Sequence, residues 1–379
     1  MNKTLQMVDL RAQTAAIRPD LDAAIAAVLD RGAFVRGPFV AAFEADLAAY
    51  VEGLGSTEPV YALGVGNGTD ALQIALMALG VKAGDEVVCP SFTFVATAEA
   101  AAVLGAKPVF VDIDPETFNL DPDLLHAALT TRTKAVVPVH MFGQCADMTA
   151  IRAVCDPLGI PVVEDAAQAI GSTWQGRPAG VMGDLTCLSF YPSKNLGAFG
   201  DGGAVLTTDE DLASKTRQIA NHGSAKKYHH TTVGVNSRLD AIQASILSVH
   251  LGHLPAWIDA RRAAASCYDA HLADLEDVTR PRRENDARHV FHQYTIRVSA
   301  DVRDGLRDHL KAQGVPTMIY YPEPIHQMPP YLGPALPETE RACREVLSLP
   351  MHPHLSIADT EYVAGHVRSY LEAGVPVAA

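Results

Sequence analysis

Long apolar runs are missing from this chain of 379 residues. Its most apolar stretch, Phe92 to Gly105, is interrupted by Glu99 and is too short to cross a bilayer. The first nine residues also lack the apolar region of a secretory signal. We therefore expect a cytoplasmic protein that does not interact with a membrane.

Cysteine motifs and positive charge are also scarce. The six cysteines show no C-x-x-C spacing, so neither a zinc ribbon nor a redox pair is indicated, and we expect reduced thiols and no bound metal. Lys and Arg number 30 against 44 Asp and Glu, which gives a net charge of −14. Nucleic acids require a concentrated basic face, so we do not expect them as partners.

The chain does contain β-rich runs that alternate with helical periods up to about Glu210, a pattern typical of an α/β sheet. Several runs, such as residues 86–89, are apolar on both faces, as in a sheet covered by helices on each side. The character changes near Leu251, where a long helical segment precedes an isolated strand. We therefore predict a large domain over residues 1–250 and a smaller C-terminal α+β domain over residues 251–379.

Three predicted strand ends carry the residues of chemical interest, because ligands gather at the carboxyl ends of strands in open α/β sheets. Residues 64–70 form a glycine-rich turn before a helix predicted over residues 71–79, and backbone N–H groups there suit a phosphate. Such turns are also common without a ligand. Asp165 and Gln168 end another strand and share one face if a helix begins there, although the motif taken alone favours a helix cap with a surface glutamine.

Lys194 follows the third strand and precedes a loop with glycines at 197, 200, 202 and 203. A lysine in a partly apolar pocket can lose its proton and form a Schiff base, whereas most loop lysines are simply solvated. A phosphate cradle, an acid and an amine together are what pyridoxal 5'-phosphate (PLP) requires. The combination therefore predicts a PLP enzyme.

Five motifs extend this interpretation over essentially the whole chain. They resemble those of the DegT/DnrJ/EryC1/StrS sugar aminotransferases, within the fold-type I PLP enzymes. The resemblance implies a three-layer αβα large domain with a mixed, mostly parallel sheet. The motifs are Asn67-Gly68-Thr69-Asp70-Ala71-Leu72, Pro90-Ser91-Phe92-Thr93-Phe94-Val95-Ala96-Thr97, Glu164-Asp165-Ala166-Ala167-Gln168, Ser193-Lys194 and Val233-Gly234-Val235-Asn236-Ser237-Arg238-Leu239-Asp240.

The same resemblance implies roles for individual residues. Lys194 would bind the cofactor covalently and move protons, Asp165 would pair with the pyridine nitrogen, and Gln168 would contact the ring hydroxyl. Phe94 would lie against the ring. The remaining contacts would be to phosphate, from Gly68, Thr69, Asp70 (through its backbone) and Ser189, and from Asn236 of the partner subunit in a homodimer with shared active sites.

The implied reaction transfers an amino group, with L-glutamate as donor, to a nucleotide sugar in amino-sugar and cell-surface polysaccharide synthesis, lipopolysaccharide included. The stretches around Tyr228-His229 and Arg238 look most like those of enzymes acting on UDP-2-acetamido-3-keto sugars, including the 3-keto glucuronate. Arg238 would then hold a sugar carboxylate across the subunit interface. Uronate-acting relatives tend to have His-Tyr-Pro where this chain has Tyr320-Tyr321-Pro322, so the carboxylate stays open.

Three alternatives remain at this stage. A 4-keto nucleotide-sugar (dTDP- or GDP-linked) aminotransferase differs only in the ring position that is aminated. A PLP-dependent dehydratase is disfavoured, because in that branch histidine replaces the lysine that this chain retains as Lys194. A sensor that keeps the cofactor fold without turnover is the non-enzymatic alternative. The segment 222–230 is rich in positive charge, which suits a diphosphate but also suits a solvated surface loop.

Overall fold

The structure is a computed structural model that describes residues 4–226 and 228–373. No helix within these ranges has both the length and the apolar character needed to traverse a bilayer. The α-helices are α1 (Leu10–Ala16), α2 (Arg18–Arg31), α3 (Pro38–Gly53), α4 (Gly68–Ala78), α5 (Ala96–Ala102), α6 (Pro122–Ala128), α7 (Met148–Cys155), α8 (Glu210–Ile219), α9 (Ala241–His271), α10 (Ala300–Ala312), α11 (Pro337–Glu345) and α12 (Ile357–Glu372).

The strands are short and fall between these helices. They are β1 (Tyr61–Val65), β2 (Glu86–Pro90), β3 (Lys107–Val111), β4 (Thr133–Val136), β5 (Val163–Asp165), β6 (Thr173–Trp174), β7 (Arg177–Pro178), β8 (Leu185–Ser189), β9 (Gly203–Thr207), β10 (Ser224–Lys226), β11 (His229–His230), β12 (Ala287–Arg288), β13 (Tyr294–Arg297) and β14 (Val346–Leu349).

One large sheet organises the first two thirds of the chain. Parallel strands run in the order β3-β2-β4, and a second set runs β5-β8-β9-β1, with β5 parallel to β8 and β9 antiparallel to both of its neighbours. Parallel bridges Val136–Val162 and Val139–Asp165 join the two sets between β4 and β5. The predicted mixed, mostly parallel sheet is therefore confirmed.

Both faces of the sheet are buried, as the continuous apolar runs predict. Along β2, Val88 packs into a core with side chains of α3, α7 and α9, while Val87 and Cys89 face a second core with α4, α5 and α8. Successive side chains of a strand point to opposite faces, so each run supplies both cores. This arrangement has the predicted three layers.

A third core lies in the C-terminal part of the chain. It packs the antiparallel pair β13–β14 against α10, α12 and the end of α9. Leu5, close to the start of the chain, also packs there. The predicted division between residues 250 and 251 falls inside α9, whose first half lies in the core beside α3 and whose last residues enter the third core.

Element boundaries differ from the predicted ones where side-chain caps decide them. The helix predicted over residues 71–79 begins at Gly68, because Asn67 accepts a hydrogen bond from the Asp70 N–H (2.8 Å) and caps the first turn. The long helix begins at Ala241 rather than near Leu251, capped by Asp240, which accepts from the Gln243 N–H (2.9 Å).

Candidate active site

The carboxyl ends of β1, β5 and β8 meet at a cavity of about 810 Å³. Lys194 and Asp165 line it, together with the aromatic side chains of Phe94, Tyr320 and Tyr321. Of the cofactor residues named from the sequence, those lining it are Gly68, Thr69, Asp70, Phe94, Asp165, Gln168, Ser189 and Lys194. The topology therefore brings together motifs that lie more than a hundred residues apart.

The first turn of α4 forms one wall of the cavity. Its leading N–H groups have no carbonyl partner within the helix, which makes the turn an anion site. A side chain at Gly68 would place its Cβ 2.7 Å from the Ser189 Cβ, so only glycine permits this approach of the helix to β8. The Asp70 N–H donates to the Asn67 cap in this structure, and its predicted contact with a phosphate stays a prediction.

The Asp70 carboxylate is held by a neighbour outside the turn. Its Oδ2 accepts a hydrogen bond from the Ser237 hydroxyl (2.5 Å), which in turn accepts from the Gly66 N–H (2.9 Å). This relay ties the segment 233–240 to the turn before α4. Asp70 thus has a clear structural role in addition to its place on the cavity wall.

Lys194 is half-buried on the loop after β8. Burial lowers the pKa of its ammonium group to about 8, and the opposing attraction of Asp165 limits the shift. Within the described residues no side-chain or backbone atom accepts a hydrogen bond from its Nζ. A substantial fraction of the amine is therefore neutral near physiological pH and is available as a nucleophile.

Asp165 ends β5 and is buried on the same cavity wall. The Thr97 hydroxyl donates to its Oδ2 (2.8 Å) and the Ala167 N–H donates to its Oδ1 (3.2 Å). These two hydrogen bonds hold the carboxylate in one orientation. A buried anion facing the cavity suits a ligand that carries a hydrogen-bond donor or a positive charge.

Both the oxygen and the nitrogen of the Gln168 side-chain amide form hydrogen bonds. Its Oε1 accepts from the Phe142 N–H (2.8 Å), and its Nε2 donates to the Tyr321 hydroxyl (3.3 Å). The Tyr321 pKa is raised by burial, so the hydroxyl stays protonated. Phe94 lies across the cavity with its ring centroid 6.4 Å from that of Tyr321, and more than half of its surface is exposed.

Glu164, beside Asp165 in sequence, points away from the cavity into the core. Its carboxylate accepts hydrogen bonds from His140 Nε2 (2.8 Å), the Thr186 hydroxyl (2.7 Å) and the Gly183 N–H (2.8 Å). Because the Ala146 N–H donates to His140 Nδ1, the imidazole proton is on Nε2. The pair is a structural element of the sheet rather than part of the cavity.

Four residues named from the sequence lie away from this chain's cavity. Arg238 donates to the Asn221 Oδ1 (3.1 Å), and Asn236 forms a backbone bridge with the same residue. Tyr228 and His229 are exposed on the β10–β11 hairpin, while the neighbouring Lys227 lies outside the described residues. Their predicted contribution to a partner's site stays a prediction.

His292 and Gln293 line the cavity and were missed as active-site residues. His292 donates from Nδ1 to the Asn195 Oδ1 (3.2 Å), and burial lowers its pKa well below the usual range. They lie just before β13 in the C-terminal part of the chain, and only tertiary packing brings this segment beside Phe142. The sequence carries no local signal for that approach.

Potential metal ligands occur elsewhere. Cys267 and His271 on α9 and Glu361 on α12 offer donor atoms within 4.8 Å of one another. The residues of this group do not line the cavity. All six cysteines are free, as the sequence predicts.

Comparison with known proteins identifies close relatives over nearly the whole chain. The chain is 47% identical over 371 residues to a Geobacillus stearothermophilus "pleiotropic regulatory protein", covering 96% of this chain and 98% of the relative. It is 46% identical over 361 residues to the Pseudomonas aeruginosa UDP-2-acetamido-2-deoxy-3-oxo-D-glucuronate aminotransferase, covering 95% and 98%.

Solved structures share the fold closely. Streptomyces venezuelae DesV, in complex with a ketimine intermediate, superposes with a TM-score of 0.93 at 44% identity, covering 97% of this chain and 99% of that one. NtdA from Bacillus subtilis, solved with bound cofactor PMP, gives 0.90 at 33% identity, covering 97% and 85%. The profile of the DegT/DnrJ/EryC1/StrS aminotransferase family matches residues 15–368. This chain therefore belongs to the DegT/DnrJ/EryC1/StrS aminotransferase family, as its motifs predict.

Proposed function

We propose that this protein is a PLP-dependent aminotransferase that transfers the amino group of L-glutamate to a 3-keto nucleotide sugar of the UDP-2-acetamido hexose or glucuronate type. The observation that carries the proposal is the pairing, in one cavity, of Lys194, whose pKa is lowered to about 8, with the buried Asp165 carboxylate. An amine nucleophile facing a fixed anion suits a cofactor with an aldehyde and a basic ring nitrogen.

The chemistry of the cavity fits the phosphate, the ring face, the aldehyde and the ring nitrogen of PLP. The first turn of α4 approaches Ser189 so closely that a Cβ at Gly68 would clash, which leaves backbone N–H groups and a hydroxyl for a phosphate. Phe94 offers an exposed ring face at the cavity. Lys194 and Asp165 would hold the aldehyde carbon and the ring nitrogen. When bound, PLP supplies a carbonyl that condenses with amines and a ring that stores an electron pair.

The protein's own residues account for proton handling. Lys194 Nζ, with a pKa of about 8, takes up and releases a proton within the neutral range. Asp165, fixed by Thr97 and the Ala167 N–H, keeps a proton on a ring nitrogen placed beside it. His292 is neutral and cannot compete with Lys194 as a charged group, because burial and the Lys194 charge both lower its pKa.

A second copy of the chain completes the proposed site. The resemblance assigns Asn236 and Arg238 to the partner's cofactor phosphate and sugar. Three large apolar side chains close to them along the chain or across a backbone bridge, Val35, Tyr228 and Val233, are at least two-thirds exposed. Exposed apolar patches mark interaction sites. We therefore include a homodimer with shared active sites in the proposal.

The assignment of the 3-keto sugar rests on two further points. The 46%-identical relative from Pseudomonas aeruginosa acts, by its name, on a UDP-2-acetamido-3-oxo sugar. The Tyr228-His229 and Arg238 stretches look most like those of such enzymes. A 4-keto nucleotide sugar is the second candidate, and the retained Lys194 disfavours a dehydratase. A cytoplasmic location and a role in cell-surface polysaccharide synthesis stay predictions.

The test has a chemical arm and a substrate arm. Borohydride treatment of the PLP-loaded protein, followed by peptide mapping, should place the cofactor on Lys194, and Lys194→Ala should carry none. With ¹⁵N-glutamate, the label should enter the sugar when the UDP-2-acetamido-3-keto substrate is supplied. Label in a 4-keto nucleotide sugar alone would overturn the substrate assignment. No cofactor on Lys194, or no transfer to any keto sugar, would overturn the function.

A further inference from the structure

Gln293 is a buried amide in the cavity for which the fold itself has no use. Its side chain is only 6% exposed and lines the cavity beside His292. Its Oε1 is buried without a hydrogen-bond donor among the described residues, and none of those residues accepts a hydrogen bond from its Nε2. A buried polar group left unpaired costs about 1–3 kcal/mol. Such groups are uncommon in native proteins and require an explanation.

Backbone contacts, and not the amide, fix the position of Gln293. Its N–H donates to the Phe142 carbonyl (3.3 Å), and the Val290 N–H donates to the Gly143 carbonyl (2.9 Å). A side chain at Gly143 would place its Cβ 2.9 Å from the backbone nitrogen of His292. The two segments thus pack backbone against backbone.

Both segments also hold strained conformations at this contact. Phe142 has a φ of 55° and Phe291 a φ of 48°, in the left-handed region that non-glycine residues rarely adopt. The buried Arg261 donates to the Phe291 carbonyl (3.3 Å) and to the Met351 carbonyl (3.0 Å), which anchors the second segment. Strain of this kind persists where the surroundings enforce it and clusters at binding sites.

Gln168 shows the difference between the two glutamines of the cavity. Its amide has a hydrogen-bond partner at each end, the Phe142 N–H at Oε1 and the Tyr321 hydroxyl at Nε2. Gln293 shares the contact with Phe142 only through its backbone. A rigidly placed, neutral amide with an unused acceptor and unused donors is suited to a neutral ligand group that also has both. A charged group would instead be matched by arginine or lysine.

We infer that the Gln293 amide is the subsite that binds a neutral substituent of the keto sugar, a hydroxyl or an acetamido group, and so orients the sugar in the cavity. This inference rests on the proposed function. Gln293 is a positioning residue for the second substrate, and L-glutamate does not use it. The two half-reactions should therefore respond differently to its loss.

The experiment compares Gln293→Leu with the wild-type holoenzyme. Single-turnover absorbance follows the cofactor separately with L-glutamate and with the keto sugar. We expect the rate of the half-reaction with L-glutamate to stay within about twofold of the wild-type rate. The kcat/KM for the sugar should fall about 10- to 100-fold, which is the size of one or two neutral hydrogen bonds. An equal fall in both half-reactions, or a sugar step like that of the wild type, would overturn the inference.

Stability provides a second readout that a structural glutamine would not share. Since the amide is unpaired, Gln293→Leu should leave the urea midpoint of the ligand-free protein unchanged or raise it. Gln144 is the matched control, because its buried amide oxygen accepts from the Glu284 N–H (3.1 Å). Gln144→Leu should lower the midpoint. A clear fall for Gln293→Leu would overturn the inference.

Two nucleotide sugars that differ only at carbon 2 identify the bound group. If the loss in Gln293→Leu is larger for the 2-acetamido sugar than for its 2-hydroxyl counterpart, the acetamido group is the ligand. Equal losses identify a hydroxyl elsewhere on the ring. A wild-type enzyme that reacts with L-glutamate but aminates no keto sugar would overturn the proposed function and this inference together.

Discussion

Lys194 differs from a surface lysine because the cavity removes water from its ammonium group while leaving one anion, Asp165, to oppose the loss of the proton. With a pKa of about 8, about a quarter of the amine is neutral at pH 7.5, against roughly 0.1% for an ordinary lysine. That difference lies in the folded environment. The sequence predicts the lysine, and only the structure gives its state.

The lowered pKa predicts the pH dependence of Lys194 reactivity. Because the neutral amine is the reactive form, trace labelling of cofactor-free protein with an acylating reagent should rise about tenfold per unit below pH 8 and level off above it. Peptide mass mapping measures the extent at Lys194. Asp165→Asn should move the inflection to lower pH, since the carboxylate raises this pKa. A rate at Lys194 that still rises tenfold per unit from pH 9 to 10 would contradict the assignment.

Glu164, which precedes Asp165 in the same motif, stabilises the fold. Its Oε1 accepts from Met182, Gly183 and Thr186, and its Oε2 accepts from His140. Glu164→Ala should therefore lower the free energy of unfolding by about 3 kcal/mol or more, because several buried donors lose their acceptor. Glu164→Gln keeps the first oxygen and should lose less. Urea unfolding followed by circular dichroism measures both, and a loss below about 1 kcal/mol for alanine would refute the argument.

The pH dependence of this contribution has a definite sign. Burial opposes ionisation of Glu164, but hydrogen bonds from His140, Gly183 and Thr186 prevail and lower its pKa. A depressed carboxyl pKa stabilises the folded state above the unfolded value of about 4.3 and loses that effect as the pH falls through the folded value. The difference between wild type and Glu164→Ala should accordingly shrink only on acidification below that range.

Among the elements, the existence of α4 was predicted from the sequence, but its first residue was not. The apolar period identified the helix, whereas the Asn67 cap extends it to Gly68. The glycine at that position is explained only by the neighbouring strand, because Ser189 lies where a Cβ would stand. Sequence patterns report on local propensity, and contacts between β8 and α4 are not local.

A pair of glycine substitutions tests this reading of α4. Gly68→Ala should displace the first turn from Ser189 and weaken PLP binding about tenfold or more, because the Cβ would stand 2.7 Å from the Ser189 Cβ. Gly252→Ala in α9 meets no atom within 4 Å and should raise the free energy of unfolding by about 0.5–1 kcal/mol with unchanged PLP affinity. Fluorescence titration with PLP and urea unfolding provide the measurements. Equal PLP affinity in the two variants would contradict the close approach.

The β13 segment marks the limit of prediction from the sequence. The isolated strand predicted after the long helical segment lies at Tyr294–Arg297, but the two residues before it, His292 and Gln293, were not connected with the cavity. Two strained residues, Phe142 and Phe291, bring the segments together. No residue pattern encodes a positive φ at a phenylalanine, so this part of the site had to come from the structure.

For the whole molecule, four residues predicted for the site, Tyr228, His229, Asn236 and Arg238, do not line the cavity of their own chain. Arg238 and Asn236 contact Asn221 near the end of α8, and in the proposed dimer they would reach the cavity of another copy. Motifs identify such residues by resemblance, while the proposed position of these side chains in a site depends on how two chains associate. The sequence therefore predicted their role without a geometry.

Hybrid dimers test the shared site. In a 1:1 co-expression of Lys194→Ala and Arg238→Ala chains, half of the dimers are hybrids, and one of their two sites has both residues intact if Arg238 serves the partner. Activity should then recover to about one quarter of the wild-type value, although each variant alone is strongly impaired. Tandem affinity tags isolate the hybrids, whose activity should be about half. Hybrids no more active than the parent variants would show that each site uses its own Arg238.

The helix α9 has a consequence for how the molecule comes apart. Leu247, Leu254 and Ile258 belong to the core beneath the large sheet, and Ala265 and Tyr268 belong to the C-terminal core. Unfolding of either core would expose apolar side chains of α9 to water, and α9 is one continuous helix. We therefore expect the N-terminal and C-terminal parts to unfold together, because cutting the chain at residue 250 would expose apolar side chains of both cores.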